Sequence, residues 1–238
     1  MISYKSYKLP ALALMLVTGL IVGCDDGSHG NNDNGQRSYT VEIVNLTANQ
    51  PLSPPVIILH QSAYKAFTDG EPASVGLEVL AEGGDNSSLL SEAQSSTAHL
   101  SSISGTVPIG PGGTETYQLQ AENASAAYLS MVTMLVNTND AFTAANAANL
   151  SGLGLNETRT LRIPVWDAGT EANTEAAGTI PGPADGGEGF NANRDDLHDF
   201  VSFHQGVIGA DDGLSSSVLN ESHRFDNPAA VISITRTQ

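Results

Sequence analysis

The sequence contains a single cysteine, Cys24, so it cannot form an internal disulfide. Aromatic residues make up 5% of the chain, and basic residues are scarce: 9 Lys and Arg stand against 26 Asp and Glu, a net charge of −17. A chain this acidic repels nucleic acid and anionic polysaccharide and suits the binding of cations. We therefore expect no nucleic-acid partner. A bound metal is one way to stabilise a fold that has no disulfide.

The sequence also has no apolar run near its start that is long enough to span a bilayer, which takes about 20 residues. Residues 9–22 are apolar and follow Lys5 and Lys8, a pattern that predicts a secretory signal peptide over residues 1–23. Residues 21–24, Ile-Val-Gly-Cys, resemble the lipobox of bacterial lipoproteins. That resemblance implies cleavage before Cys24 and lipid on its thiol. The alternative is an ordinary secretory signal with a chance cysteine.

Residues 25–37 contain no apolar side chain and are rich in Gly and Asn. Such a segment cannot bury enough surface to fold, so residues 24–37 are predicted to be a lipidated, flexible tether. Cleavage would leave 7 basic and 26 acidic residues, a net charge of −19. We expect the protein in a bacterial cell envelope, anchored on the periplasmic side of a membrane or at the cell surface. Residues 38–238 suit one domain.

Seven segments carry the alternating or wholly apolar pattern of β-strands. They are residues 39–43, 56–59, 115–120, 128–136, 161–165, 200–207 and 230–235. The fourth of them is apolar on both faces and predicts a central strand. Helical patterns are confined to residues 72–82, 86–95 and 140–150. Many strands with long connections predict an all-β fold, an antiparallel β-sandwich of about eight strands with short helices in its loops.

Four blocks of sequence, in order, resemble the spondin domain, the amino-terminal module of animal F-spondin and mindin that also occurs in bacterial proteins. They are residues 39–47 (YTVEIVNLT), 70–83 (GEPASVGLEVLAEG), 129–142 (LSMVTMLVNTNDAF) and 166–171 (WDAGTE). The resemblance runs from about residue 38 to the carboxyl end. It implies a sandwich similar to membrane-targeting C2 domains, with one calcium ion at one end. The disulfides of the animal modules have no counterpart here, so their known partners do not transfer.

Acidic residues follow two of the predicted strands. Asp140 comes after the central strand, and Asp167 and Glu171 flank a glycine turn after the strand that ends at Trp166. Glu82, at the end of a predicted helix, could complete the cluster. Calcium takes about six to eight oxygen ligands, and a cation removes the repulsion between close carboxylates. Together with the resemblance, this predicts a calcium site; the alternative is that each carboxylate caps a loop or is a solvated turn residue.

The sequence has no Gly-x-Ser-x-Gly elbow, His-Glu-x-x-His motif or phosphate-binding loop. The favoured function is therefore a lipid-anchored, calcium-binding adhesion or recognition module with a protein or glycan partner, and not an enzyme. The alternative is a metal-dependent hydrolase of the envelope that uses the same cluster of acidic residues, called the acidic corner below. Catalytic metal sites usually include His, so His60 or His204 beside Asp140 and Asp167 would favour the alternative.

Overall fold

The computed structural model describes residues 35–122, 127–193 and 199–238. Cys24, the predicted signal peptide and most of the predicted tether lie outside these residues. The strands are β1 Arg37–Asn45, β2 Val56–His60, β3 His99–Ser104, β4 Thr114–Ala121, β5 Tyr128–Met134, β6 Ala141–Asn149, β7 Thr158–Ile163, β8 Val165–Asp167, β9 Ser202–Phe203 and β10 Ala230–Arg236. The helices are α1 Val75–Gly83 and α2 Ser87–Ser95, with short 3-10 helices at Ala210–Asp212 and Glu221–His223.

The strands form two antiparallel sheets. One has the order β4-β1-β10-β7 and the other the order β3-β2-β5-β6-β8-β9. In β1, Tyr39, Val41 and Ile43 are buried while Glu42 between them faces solvent, as the alternation predicts. The predicted all-β antiparallel sandwich is confirmed.

The middle of the six-stranded sheet is covered on both faces, which explains why β2 and β5 are largely apolar on both sides. In β5, Leu129 and Met131 pack with β1 and β10 in the core between the two sheets. Val132 and Met134 point the other way, into a second core beneath α1 and α2. Because helices cover the outer face, β5 has no solvent side, and its predicted central position is confirmed.

Helix α1 has clear start and stop signals. The Ser74 hydroxyl accepts a hydrogen bond from Leu77 N–H at 3.2 Å and so caps the first turn. Gly84 ends the helix with a φ of 70°, and its N–H donates to the Leu80 carbonyl at 2.8 Å. The predicted helices over 72–82 and 86–95 are confirmed as α1 and α2.

Some local predictions were wrong. Residues 140–150, predicted as helical turns, form strand β6, since Phe142 and Ala144 pack under the helices while Ala141 and Ala145 pack between the sheets. The predicted strand over 161–165 is two strands, β7 and β8, which belong to different sheets on either side of Pro164. Strand β3 was not predicted, and the strand predicted over 200–207 is only the two residues of β9.

None of the helices in the described ranges is long and apolar enough to cross a membrane.

The acidic corner as a candidate functional site

A tight turn between β5 and β6 places Asp140 at one end of the six-stranded sheet. The Thr138 hydroxyl donates to the Leu135 carbonyl at 2.6 Å and accepts from Ala141 N–H at 3.1 Å. The backbone N–H of Leu135 donates to the Ala141 carbonyl at 2.8 Å. These bonds satisfy the polar groups of the turn and fix the direction of the Asp140 side chain.

Buried amides anchor this turn from the opposite sheet. Asn137 N–H donates to the Gln50 side-chain oxygen at 3.1 Å, and the Gln50 amide donates back to the Asn137 carbonyl at 3.1 Å. Asn45, at the end of β1, donates to the Gln50 and Ile109 carbonyls at 2.8 and 2.9 Å. The corner is therefore held by side chains that are themselves fully paired, which rigidifies it.

The segment after β8 wraps around the Asp140 carboxylate. Strands β6 and β8 pair so that Ala141 lies opposite Asp167. The Asp140 Oδ2 atom accepts hydrogen bonds from Thr170 N–H at 2.9 Å and Glu171 N–H at 3.1 Å. Gly169 makes this approach possible: its φ is 75°, and a Cβ there would lie 2.5 Å from the Phe200 carbonyl oxygen.

The other oxygen of Asp140, Oδ1, is buried and has no hydrogen-bond partner among the described residues. The Thr170 hydroxyl is buried in the same way. Asp140 is fully buried (0% exposed), and burial, with the neighbouring charges of Asp167 and Glu171, raises the pKa of its carboxyl to about 8 although two backbone N–H groups oppose the shift. At neutral pH this carboxyl requires a proton or a cation.

Glu171 and Asp167 are held by amide side chains. Glu171 Oε1 accepts from the Asn139 amide at 3.0 Å, and Glu171 is 5% exposed. Asp167 Oδ2 accepts from the Asn173 amide at 2.6 Å, while its Oδ1 accepts from Gly169 N–H at 2.8 Å. Asp140, Asp167 and Glu171, three of the four predicted ligands, thus lie on adjoining segments at one corner, and their role as ligands remains a prediction.

The fourth predicted ligand, Glu82, is also buried, at the end of α1. Its Oε2 atom accepts a hydrogen bond from Asn191 N–H at 3.3 Å. Glu82 therefore contacts the loop at residue 191, and its role as a ligand remains a prediction.

Two histidines bear on the alternative function. His204 Nδ1 accepts from Gly206 N–H at 2.9 Å, so the neutral ring carries its proton on Nε2, which lies 3.2 Å from the Asn173 side-chain oxygen. His60 lies in β2, where its ring nitrogens contact the Ser130 hydroxyl at 2.9 Å and the Gln61 carbonyl at 2.8 Å. Both rings are engaged by the protein itself.

The donor atoms at the corner are oxygens, the type of ligand that a hard cation prefers. They are carboxylate and hydroxyl oxygens, one of them a buried carboxylate oxygen with no partner. Within the described ranges, no group of three or more His, Cys, Asp or Glu side chains lies in an arrangement that could hold a metal ion. Backbone carbonyl oxygens and water would therefore have to supply part of the coordination.

The family model for the spondin N-terminal domain (Spondin_N) matches residues 46–179. The chain belongs to this spondin family. The match contains the whole acidic corner, with Asp140, Asp167 and Glu171. It does not extend over β1 or β10, which the resemblance led us to include. No curated protein sequence matches the chain.

Within this spondin domain, sequence reasoning missed several side chains that shape the corner. The backbone carbonyl of Asn139 was a predicted neutral ligand, but its side chain, which bonds to Glu171, Thr179 and Glu175, was not singled out. Asn173 bonds to Asp167, and Glu175 is a buried carboxyl that no motif singled out. Asn139 lies beside Asp140 in the third block of resemblance, residues 129–142, and its position there could have identified it. Asn173 and Glu175 lie in a segment without periodicity, and only the fold brings them to the site.

Proposed function

We propose that this chain is a lipid-anchored, calcium-binding adhesion or recognition module of the bacterial cell envelope, and not an enzyme. Membership of the spondin family supports the general class of the protein, and this family is not one of enzymes. The calcium ion would be held by Asp140, Asp167 and Glu171, and it would order the loops at one end of the sandwich. The lipid would be carried by Cys24. The partner would be a protein or a glycan.

The observation that carries the calcium proposal is the buried Asp140 carboxylate. One of its oxygens is held by two backbone N–H groups, the other has no hydrogen-bond partner in the part of the chain that the structure describes, and Asp167 and Glu171 add negative charge nearby. Leaving such a group charged and unpaired is costly, and a divalent ion removes that cost.

The histidines support a structural role for the ion over the hydrolase alternative. A catalytic metal usually has a His ligand and an open position. Burial lowers the pKa of His204 while the nearby charge of Asp167 opposes the shift, so this ring lies close to the corner. Its Nδ1 lone pair nevertheless accepts Gly206 N–H, and its Nε2 contacts Asn173. His60 contacts Ser130 and Gln61.

Thermal melting of the full chain in detergent tests the calcium proposal. Calcium at about one hundred times its dissociation constant stabilises the folded state by about 2.7 kcal/mol, which raises the melting temperature of a chain of this size by about 5 °C or more. Chelator should reverse the shift. Equal melting temperatures in calcium and in chelator would contradict the proposal.

Asp140→Asn supplies the matched variant for this test. Asparagine keeps the shape and can still accept the Thr170 and Glu171 N–H groups, but it has no charge for calcium. We expect the calcium-induced shift to be lost in this variant and kept in Glu42→Gln, which removes one charge from the exposed face of β1. A full calcium shift in Asp140→Asn would exclude this carboxylate as a ligand.

A further inference from the structure

A cleft of about 640 Å³ lies beside the acidic corner. One wall is the segment after β8 that includes Asn173 and Glu175, and the other is the segment between β9 and β10 that includes Val207 and Ile208. Its volume lies within the range of small-molecule sites, about 300–1,000 Å³. The family model ends at residue 179, so much of this cleft is built by residues outside the match.

The wall of the cleft contains a buried carboxyl that is incompletely paired. Glu175 is 2% exposed, and its Oε1 atom accepts from Ile208 N–H at 3.3 Å. Its Oε2 atom is buried and has no hydrogen-bond partner among the described residues. A buried acceptor without a donor is costly, so this oxygen favours a ligand that brings one.

The backbone around Glu175 is fixed by hydrogen bonds, which hold this residue in the cleft wall. Glu175 N–H donates to the Asn139 side-chain oxygen at 3.2 Å, and Val218 N–H donates to the Glu175 carbonyl at 2.8 Å. The residue has a φ of 48°, an uncommon conformation for a side chain other than glycine. These contacts preorganise the carboxyl in the cleft wall.

Apart from Glu175, the charged side chains that line the cleft are Asp212 and Arg224, and they form an ion pair with each other. Arg224 pairs with Asp212 at 3.1 Å, which leaves the Glu175 charge without a basic partner in the cleft wall. Val207 and Ile208 supply apolar surface, and Ile208 is 51% exposed. The cleft therefore combines one uncompensated negative charge with an apolar wall, inside a strongly acidic domain that attracts cations.

We propose that this cleft binds a primary ammonium group carried on a short aliphatic body, such as a lysine side chain or an alkyl diamine, with the Glu175 carboxylate as its acceptor. An ammonium supplies both the missing donor and the missing charge. The aliphatic body packs on Val207 and Ile208. Burial raises the pKa of the Glu175 carboxyl, which agrees with a group that needs a cation to remain charged.

This site is separate from the calcium site, since Glu175 is not one of the three carboxylates at the acidic corner. Asn173 adjoins both, because it lines the cleft and donates to Asp167. Repeating every titration in calcium and in chelator therefore separates the two proposals: a calcium effect on melting and ammonium binding in the cleft are independent results.

The test is a set of NMR titrations of the full chain in detergent with pentylammonium, pentanol and pentanoate, which share one body and differ in charge. We expect pentylammonium to shift the amide signals of Gln205, Val207 and Ile208. Pentanol should bind about tenfold more weakly or not at all, because it lacks the charge-assisted hydrogen bond. Pentanoate should not bind.

Glu175→Gln should weaken pentylammonium binding about tenfold, while Glu42→Gln, with the same charge change far from the cleft, should leave it unchanged. If Glu175→Gln fails to fold, the comparison of the three ligands on the wild-type chain decides. The proposal is overturned if pentanol binds as tightly as pentylammonium, if the shifted signals lie outside the cleft, or if folded Glu175→Gln keeps full affinity.

Discussion

At the scale of single residues, the calcium proposal depends on Asp140 more than on any other side chain. Its carboxylate is fully buried, held on one oxygen by two backbone N–H groups and close to two further carboxylates. A residue placed in this way at the end of a strand costs stability when it is charged and alone. A cation bound beside this carboxylate would remove that cost.

The raised pKa of Asp140, about 8, predicts a dependence of stability on pH in chelator. The folded chain keeps this proton at pH values where the unfolded chain, with a carboxyl pKa near about 4, has released it. Folding then takes up a proton, so this carboxyl makes the folded state less stable as the pH rises from about 4 to about 8. Above about 8 its contribution levels off.

Comparison with Asp140→Asn isolates this contribution, because other buried groups titrate in the same range. We expect the free energy of unfolding of the variant, relative to wild type, to increase from pH 4 to pH 8 in chelator, as measured by urea denaturation at each pH. A difference between the two chains that does not change with pH would show that Asp140 is ionised to the same extent in the folded and unfolded states.

The sequence could suggest Asp140, Asp167 and Glu171 because each lies within a few residues of a segment with a clear apolar strand pattern. It could not suggest Glu175 or Asn173, since their positions depend on the path of residues 172–193 and 199–229, which have little regular structure. Long-range contacts of this kind, such as the bond between Glu175 and Ile208, leave no periodic signal in the chain.

At the scale of elements, β6 shows how packing overrides local preference. Its sequence, AFTAANAAN, is rich in alanine, which favours helix. In the structure Phe142 faces the core under the helices, while Ala141 faces the core between the sheets. Small side chains let this strand lie between two covering layers, and that context decides its conformation.

The helical layer predicts a second measurable effect. Leu80 in α1 is fully buried against the six-stranded sheet, whereas Val75 in the same helix is 64% exposed. Leu80→Ala should lower the free energy of unfolding by about 3 kcal/mol through lost burial and a residual cavity, and Val75→Ala should change it by less than about 0.5 kcal/mol. Urea denaturation measures both, and equal effects would show that α1 does not cover a core.

At the scale of the whole molecule, the fold accounts for the composition of the chain. Two sheets and a layer of helices bury two apolar cores without disulfides, while the charge is strongly negative. The acidic corner and the cleft adjoin through Asn173, which donates to Asp167 and lines the cleft. A domain of this kind suits cationic ligands.

The proposed anchor belongs to this scale, since it determines where the domain works. Cys24→Ser removes the only thiol that could carry lipid. We expect the variant to lose labelling by a radioactive fatty acid and to leave the membrane fraction of the cells that express it. Ser28→Ala, in the same predicted tether, should keep both properties. Unchanged labelling of Cys24→Ser would contradict lipidation at this residue.

The central claim is that Asp140, Asp167 and Glu171 together bind one calcium ion, and anomalous diffraction from crystals grown with calcium tests it most directly. We predict a single strong anomalous peak at about 2.3–2.6 Å from an oxygen of Asp140, with Asp167 or Glu171 in the same coordination shell. Clear density for all three carboxylates without such a peak at saturating calcium would contradict the claim.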